Sequence, residues 1–127
     1  MPARSFPCIL NVEDDPQLRE LYRATLTLEG FKVDLVADGL DALRRIDERA
    51  PDLVVLDLAL PRLSGHAVYQ EIAANAHTRH VPIVVATADP GDLVESESLC
   101  ILRKPIDPDI LLATVRRCMA RRAGQSR

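Results

Sequence analysis

The sequence predicts a doubly wound α/β domain, and three observations carry that prediction. Short apolar runs alternate with amphipathic stretches along the whole chain. The runs are mostly β-branched residues or Leu, as expected for strands of a parallel sheet covered on both faces. Groups able to do chemistry stand where several runs end, which is where an open α/β sheet binds its ligands.

The first run, Cys8–Val12, ends in Glu13-Asp14-Asp15. A helical stripe of Leu18, Leu21, Tyr22, Thr25 and Leu28 follows, and Gly30 stands where a C-terminal cap belongs. The second run, Val33–Ala37, leads into Asp38-Gly39 with no obvious chemical group before it. Leu40, Leu43 and Ile46 form the next stripe, closed by Ala50-Pro51. The third run, Leu53–Leu56, ends in Asp57, and Val68 and Ile72 mark the helix after it. The fourth, Val81–Ala86, ends in Thr87. The segment "ADPGDLVESESL" then carries Pro90-Gly91 and little apolar spacing, so its helix, the fourth, is predicted to be short, irregular or mobile. The fifth run, Leu99–Leu102, passes through Arg103 to Lys104-Pro105. The last helix starts at Asp107-Pro108-Asp109, a cap with Pro in the first turn and acid at the positive end, and continues through Leu111, Val115, Cys118 and Met119. No repeat or linker interrupts this order, so residues 1–127 are expected to form a single domain with a core of about 7–122 and a tail at 123–127.

Composition is that of an ordinary globular chain: 127 residues, 47% hydrophobic and 28% charged. With two Tyr, two Phe and no Trp, aliphatic residues must fill the core. The net charge of -3 provides no global attraction to nucleic acid or an anionic membrane. Arg116, Arg117, Arg121, Arg122 and Arg127 crowd the C-terminal end, read as cations favoured at a helix C-terminus with a solvated tail, ahead of a nucleic-acid contact. Cys8, Cys100 and Cys118 fit neither a zinc site nor a disulfide framework, so buried reduced thiols in a cytoplasmic protein are expected. The N-terminal stretch lacks the pattern of a signal peptide, and no run approaches the length of a membrane span.

Three successive acids at one strand end need a reason, because like charges repel and acidic side chains form strands poorly. Asp15 precedes Pro16, which makes it a natural N-cap, with metal binding the alternative. Glu13 and Asp14 lack that role. Together with Asp57 they favour a hard, oxygen-loving divalent cation such as Mg2+, and Thr87 and Lys104 could hold the oxygens of a phosphoryl group beside it. His66, His77 and His80 lie in or near the third helix and its exit, and are read as surface residues away from the acidic edge.

The residues resemble a known family, the receiver domain of two-component response regulators. The resemblance runs from "CILNVEDDPQLRELYRATLTLEGFKV" through "PDLVVLDLALPRLSG" to "PIVVATA" and "LRKPID". It implies a flavodoxin-like five-stranded parallel sheet of order 2-1-3-4-5. It implies Asp57 as phosphoacceptor, attacking a phosphohistidine on a sensor histidine kinase or histidine phosphotransfer protein. Asp14 and Asp57 would ligate Mg2+ directly, Glu13 through a metal-bound water, and Ala59 through its backbone carbonyl. Thr87 and Lys104 would bind phosphoryl oxygens. The expected function is that of a phosphoacceptor rather than a conventional enzyme, signalling through contacts with an unknown protein target or acting as a phosphate sink, with no nucleic-acid or membrane partner.

Two features depart from the family pattern. An aromatic residue usual three places before the lysine is here Ile101, so a moving ring cannot report phosphorylation. The interval from Thr87 to Lys104 is also short. Other readings are a degenerate receiver acting as a docking module, a haloacid-dehalogenase-like phosphatase and a flavodoxin-like electron carrier. The phosphatase needs an acid where Ala59 stands, and the carrier needs a hydroxyl-rich loop after the first strand.

Overall fold

A computed structural model describes residues 6–125 of the protein, with side chains through Arg121. Five strands and four helices follow one another: β1 (Cys8–Val12), α1 (Pro16–Leu28), β2 (Lys32–Val36), α2 (Gly39–Glu48), β3 (Leu53–Leu56), α3 (Gly65–Ala74), β4 (Ile83–Thr87), β5 (Leu99–Arg103) and α4 (Pro108–Gln125). The strands form one parallel sheet of order β2-β1-β3-β4-β5, the flavodoxin-like arrangement expected. The tail expected at 123–127 is helical as far as Gln125, while Arg127 lies outside the described residues. None of the helices among the described residues is long and apolar enough to cross a membrane.

Alternation along the strands divides the core in two. Leu10 and Val12 of β1 point toward α2 and α3, packing with Ala42, Ile46, Val68 and Ile72. Ile9 points the other way, with Tyr22 and Leu26 of α1 and Leu111, Val115 and Cys118 of α4. The helices begin where side chains supply acceptors for free backbone N–H groups. Asp15 accepts from Gln17 N at 2.9 Å, Asp38 from Asp41 N at 2.9 Å, Ser64 from Ala67 N at 3.2 Å and Asp107 from Asp109 N at 2.8 Å. Gly30, at φ +91°, follows α1 in the left-handed conformation that ends helices.

Several expectations change. β2 begins and ends one residue early, β4 starts at Ile83 and takes in Thr87, and β5 extends to Arg103. Leu28 is 86% exposed, because at about 100° per residue it lies well off the stripe that Tyr22 and Leu26 define. Cys8 is only half-buried, whereas Cys100 and Cys118 are buried free thiols as expected. Between β4 and β5 the described residues form turns and no helix at all. Only Pro90 is buried there and Leu93 half-buried, too little apolar burial to offset the cost of ordering a helix. The far end of this segment is tied down instead by polar contacts: Glu95 accepts from Ile101 N at 2.8 Å and pairs with Arg117 of α4 at 3.3 Å.

Candidate functional site

Sheet register builds the site. Val12 at the end of β1 pairs with Leu56 at the end of β3, so the next residues, Glu13 and Asp57, leave the sheet side by side. Both are still held by it: Glu13 N donates to Val36 O at 3.1 Å and Asp57 N to Val12 O at 3.0 Å. On the other side Thr87 pairs with Arg103, and Lys104 N donates to Thr87 O at 2.9 Å, which fixes the stem of the lysine. Its ammonium reaches back across the strand ends. Lys104 Nζ lies 2.8 Å from Glu13 Oε1 and donates to Asp57 Oδ2 at 2.9 Å. The other Asp57 oxygen accepts from Ala59 N at 3.1 Å, while Glu13 Oε2 accepts from Asp15 N at 3.2 Å. Gly65, the first residue of α3, lies so close that a Cβ there would come within 2.1 Å of Asp57 O. Only glycine lets the helix start against this turn.

The electrostatics follow from burial. Glu13 is 1% exposed, and burial pushes its carboxyl up to about 7. The Lys104 contact and the Asp15 N–H oppose that rise, and the neighbouring charge of Asp57 adds to it. For Lys104, burial favours the neutral amine, but contacts with Glu13 and then Asp57 outweigh it and raise its pKa. The pair therefore keeps its proton on the lysine. Asp14, by contrast, is exposed at the rim.

The expected site residues come together. Glu13, Asp14 and Asp57 each offer a carboxylate oxygen, all within 4.8 Å of one another. Asp57, Ala59, Thr87 and Lys104 line one shallow cleft. That cleft also includes His66 and Asp89, so placing His66 away from the acidic edge was wrong: α3 begins against Asp57, and its second residue faces the cleft. The one signal available was the close spacing of Asp57 and Gly65. Asp15 caps α1 as expected. Two basic residues of the C-terminal cluster are engaged with acids, Arg116 with Glu29 at 3.6 Å and Arg117 with Glu95 at 3.3 Å, while the Arg122 side chain lies outside the described residues.

Residues 9–116 match the family model described as the response regulator receiver domain. The chain belongs to the response regulator receiver family. Among curated relatives it is 35% identical to protein Rrf1 of Nitratidesulfovibrio vulgaris, over 94% of this chain and 85% of that one. It is 42% identical to the DNA-binding response regulator MtrA of Mycolicibacterium smegmatis, over 85% of this chain and 48% of that one. The receiver thus spans about half the length of MtrA. The receiver domain of sensor histidine kinase PA1611 from Pseudomonas aeruginosa, solved with a magnesium ion coordinated in its active-site cleft, superposes with a TM-score of 0.79 at 30% identity, covering 91% of this chain and 99% of that one. The response regulator receiver domain from Methylobacillus flagellatus superposes with a TM-score of 0.78 at 31% identity, covering 90% and 99%.

The donor set fits Mg2+. All three side chains are hard carboxylate ligands on neighbouring strand ends, and the exposure of Asp14 leaves room for the waters that this ion retains.

Proposed function

We propose that this receiver accepts a phosphoryl group on Asp57 from a sensor histidine kinase or histidine phosphotransfer protein. The observation that carries the reading is the Lys104 ammonium, bridging Glu13 and Asp57 at the mouth of a cleft lined by Thr87. A carboxylate oxygen of Asp57 forms the new O–P bond while the P–N bond of phosphohistidine breaks and the imidazole leaves with the electron pair. Transfer of this kind depends on positioning and on neutralising the oxygens of the moving group. Ala59 N–H and Lys104 hold the Asp57 carboxylate in place, and Lys104 and Thr87 then bind phosphoryl oxygens. Asp14, Asp57, Glu13 through water and the Ala59 carbonyl would hold Mg2+, which supplies charge neutralisation when bound.

The receiver is proposed to be a cytoplasmic phosphoacceptor, not a turnover enzyme, passing its signal by protein contacts or acting as a phosphate sink. Pairing of Arg116 and Arg117 with acids supports a role without nucleic acid. The test is incubation with acetyl phosphate, with and without Mg2+, followed by intact-mass measurement. Wild type is expected to gain one phosphoryl group only with Mg2+, and Asp57→Asn none. An adduct that persists in Asp57→Asn overturns the assignment.

A further inference from the structure

Arg19 stands in the first turn of α1, where a cation meets the positive end of the helix dipole and gives the helix no support. Its side chain is nevertheless half-buried and turns back to the loop before the helix. Arg19 Nη1 donates to Glu13 O and to Asp14 O, at 2.9 Å each. No carboxylate among the described residues pairs with it. This guanidinium therefore serves the backbone of the acidic loop rather than a counter-ion. The other two acids of that loop are fixed by different means. Glu13 N donates to Val36 O at 3.1 Å and its side chain meets Lys104, while Asp15 accepts from Gln17 N at 2.9 Å and donates its own N–H to Glu13 Oε2. Asp14 differs. It is exposed, and among the described residues its only hydrogen bond is the one its carbonyl accepts from Arg19.

Asp14 is also the residue that most needs to be held, since it offers an oxygen to the carboxylate cluster from an exposed loop. Mg2+ demands near-ideal octahedral geometry at about 2.1 Å, whereas Ca2+ accepts flexible arrangements at about 2.3–2.6 Å. Ordering a loose ligand on binding subtracts from affinity, so a loop fixed in advance binds the stricter ion better. Two effects of Arg19 oppose each other here. Its charge repels a divalent cation, and its hydrogen bonds fix the backbone that carries two of the three acids. The guanidinium is only half-buried, so solvent and salt weaken the repulsion, while the hydrogen bonds act at contact distance. We propose that Arg19 is a positioning residue that holds the Glu13–Asp14 backbone so that the site favours Mg2+ over larger divalent cations. This rests on the proposed Mg2+ site and adds to it a residue of α1 that acts through the loop.

The experiment uses the full chain as wild type, Arg19→Met and Arg19→Lys. Mg2+ and Ca2+ affinities are measured by calorimetry at one ionic strength, and the metal-free melting temperature reports any general loss of stability separately. Arg19→Met removes the donors and the charge, whereas Arg19→Lys keeps a charge but loses the planar fork. Arg19→Met is expected to bind Mg2+ about tenfold more weakly, the usual effect of losing a group that orients metal ligands, and Ca2+ within about twofold. The ratio of the two affinities then falls about fivefold, and Arg19→Lys is expected to lie between Arg19→Met and wild type. A role confined to the stability of the helix would not move that ratio. Equal losses for the two ions, or Mg2+ held by Arg19→Met as tightly as by wild type or more tightly, overturns the inference and leaves the Mg2+ site intact. If Arg19→Met does not fold, Arg19→Lys decides, and an affinity ratio equal to that of wild type overturns the inference. Wild type that binds no Mg2+ overturns both the inference and the metal site beneath it.

Discussion

The two faces of the sheet do different work. Toward α2 and α3 the buried side chains run from Leu10 and Val12 to Val85 and Leu99, and the buried polar ones, Thr78 and Asp38, are both hydrogen-bonded. Toward α1 and α4, alternation along β1 places buried Asn11, and Glu13 just past the strand end, on the face where Tyr22 packs, and α4 carries the buried Thr114. An apolar face stabilises in proportion to the area it removes from water. A face with a buried carboxylate and unsatisfied polar atoms gives some of that up, and it lies directly beneath the Lys104 bridge. Both faces therefore bury a large apolar cluster, but only the α1/α4 face adds buried polar atoms without partners, while the site itself gathers at the strand ends between the two faces.

The sharpest way to break this comparison is to truncate each face. Leu56→Ala on the α2/α3 side, at 0% exposure, is expected to cost about 3 kcal/mol in urea unfolding, because it leaves a cavity in a packed cluster. Tyr22→Phe on the other side is expected to cost nothing measurable. Equal losses would show that the two faces are energetically alike.

Metal binding should narrow the gap. Without a divalent ion the acids of the site repel one another, and Mg2+ is expected to stabilise the fold by about 1–3 kcal/mol at saturation. Asp14→Ala should lose most of that gain while its metal-free melting temperature stays equal or rises. A wild-type melt unmoved by Mg2+ would mean that the three carboxylates hold no ion.

The smallest effect is expected at the rim, where Glu95 links the β4–β5 segment to β5 and α4. The Ile101 N–H, and after it Arg117, hold the Glu95 carboxyl below its ordinary value of 4.5 against a smaller opposing effect of burial. A lowered pKa gives stability that is present above the ordinary value and lost as pH falls through the folded one. The difference in melting temperature between wild type and Glu95→Gln is therefore expected to be small and constant above about pH 5, and to vanish in more acid solution. A difference that grows on acidification would reverse the sign of this contact.

Much of this was legible in the chain. Strands showed as short aliphatic runs, caps as Asp15-Pro16 and Asp107-Pro108, and the site as polar residues closing those runs, which the parallel register then brings level. What escaped depended on angle or on distance along the chain. Leu28 is apolar by identity but off the buried stripe, whereas Leu26, four residues after Tyr22, is on it. His66 reaches the cleft only because α3 starts against Asp57. The helix expected in some form between β4 and β5 is missing, since Glu95, rather than apolar packing, anchors that stretch. Asn11 looked like one more strand residue. Its burial without a partner is a tertiary fact that no local pattern encodes.

The central claim, that Asp57 is the group that chemistry reaches, has a direct test. After incubation with acetyl phosphate and Mg2+, borohydride reduction converts an aspartyl phosphate to homoserine, and peptide mapping locates it. The account predicts homoserine at position 57 and at no other acid. Homoserine at Asp14 or Asp15, or at none of the acids in a protein shown to be folded, would contradict it.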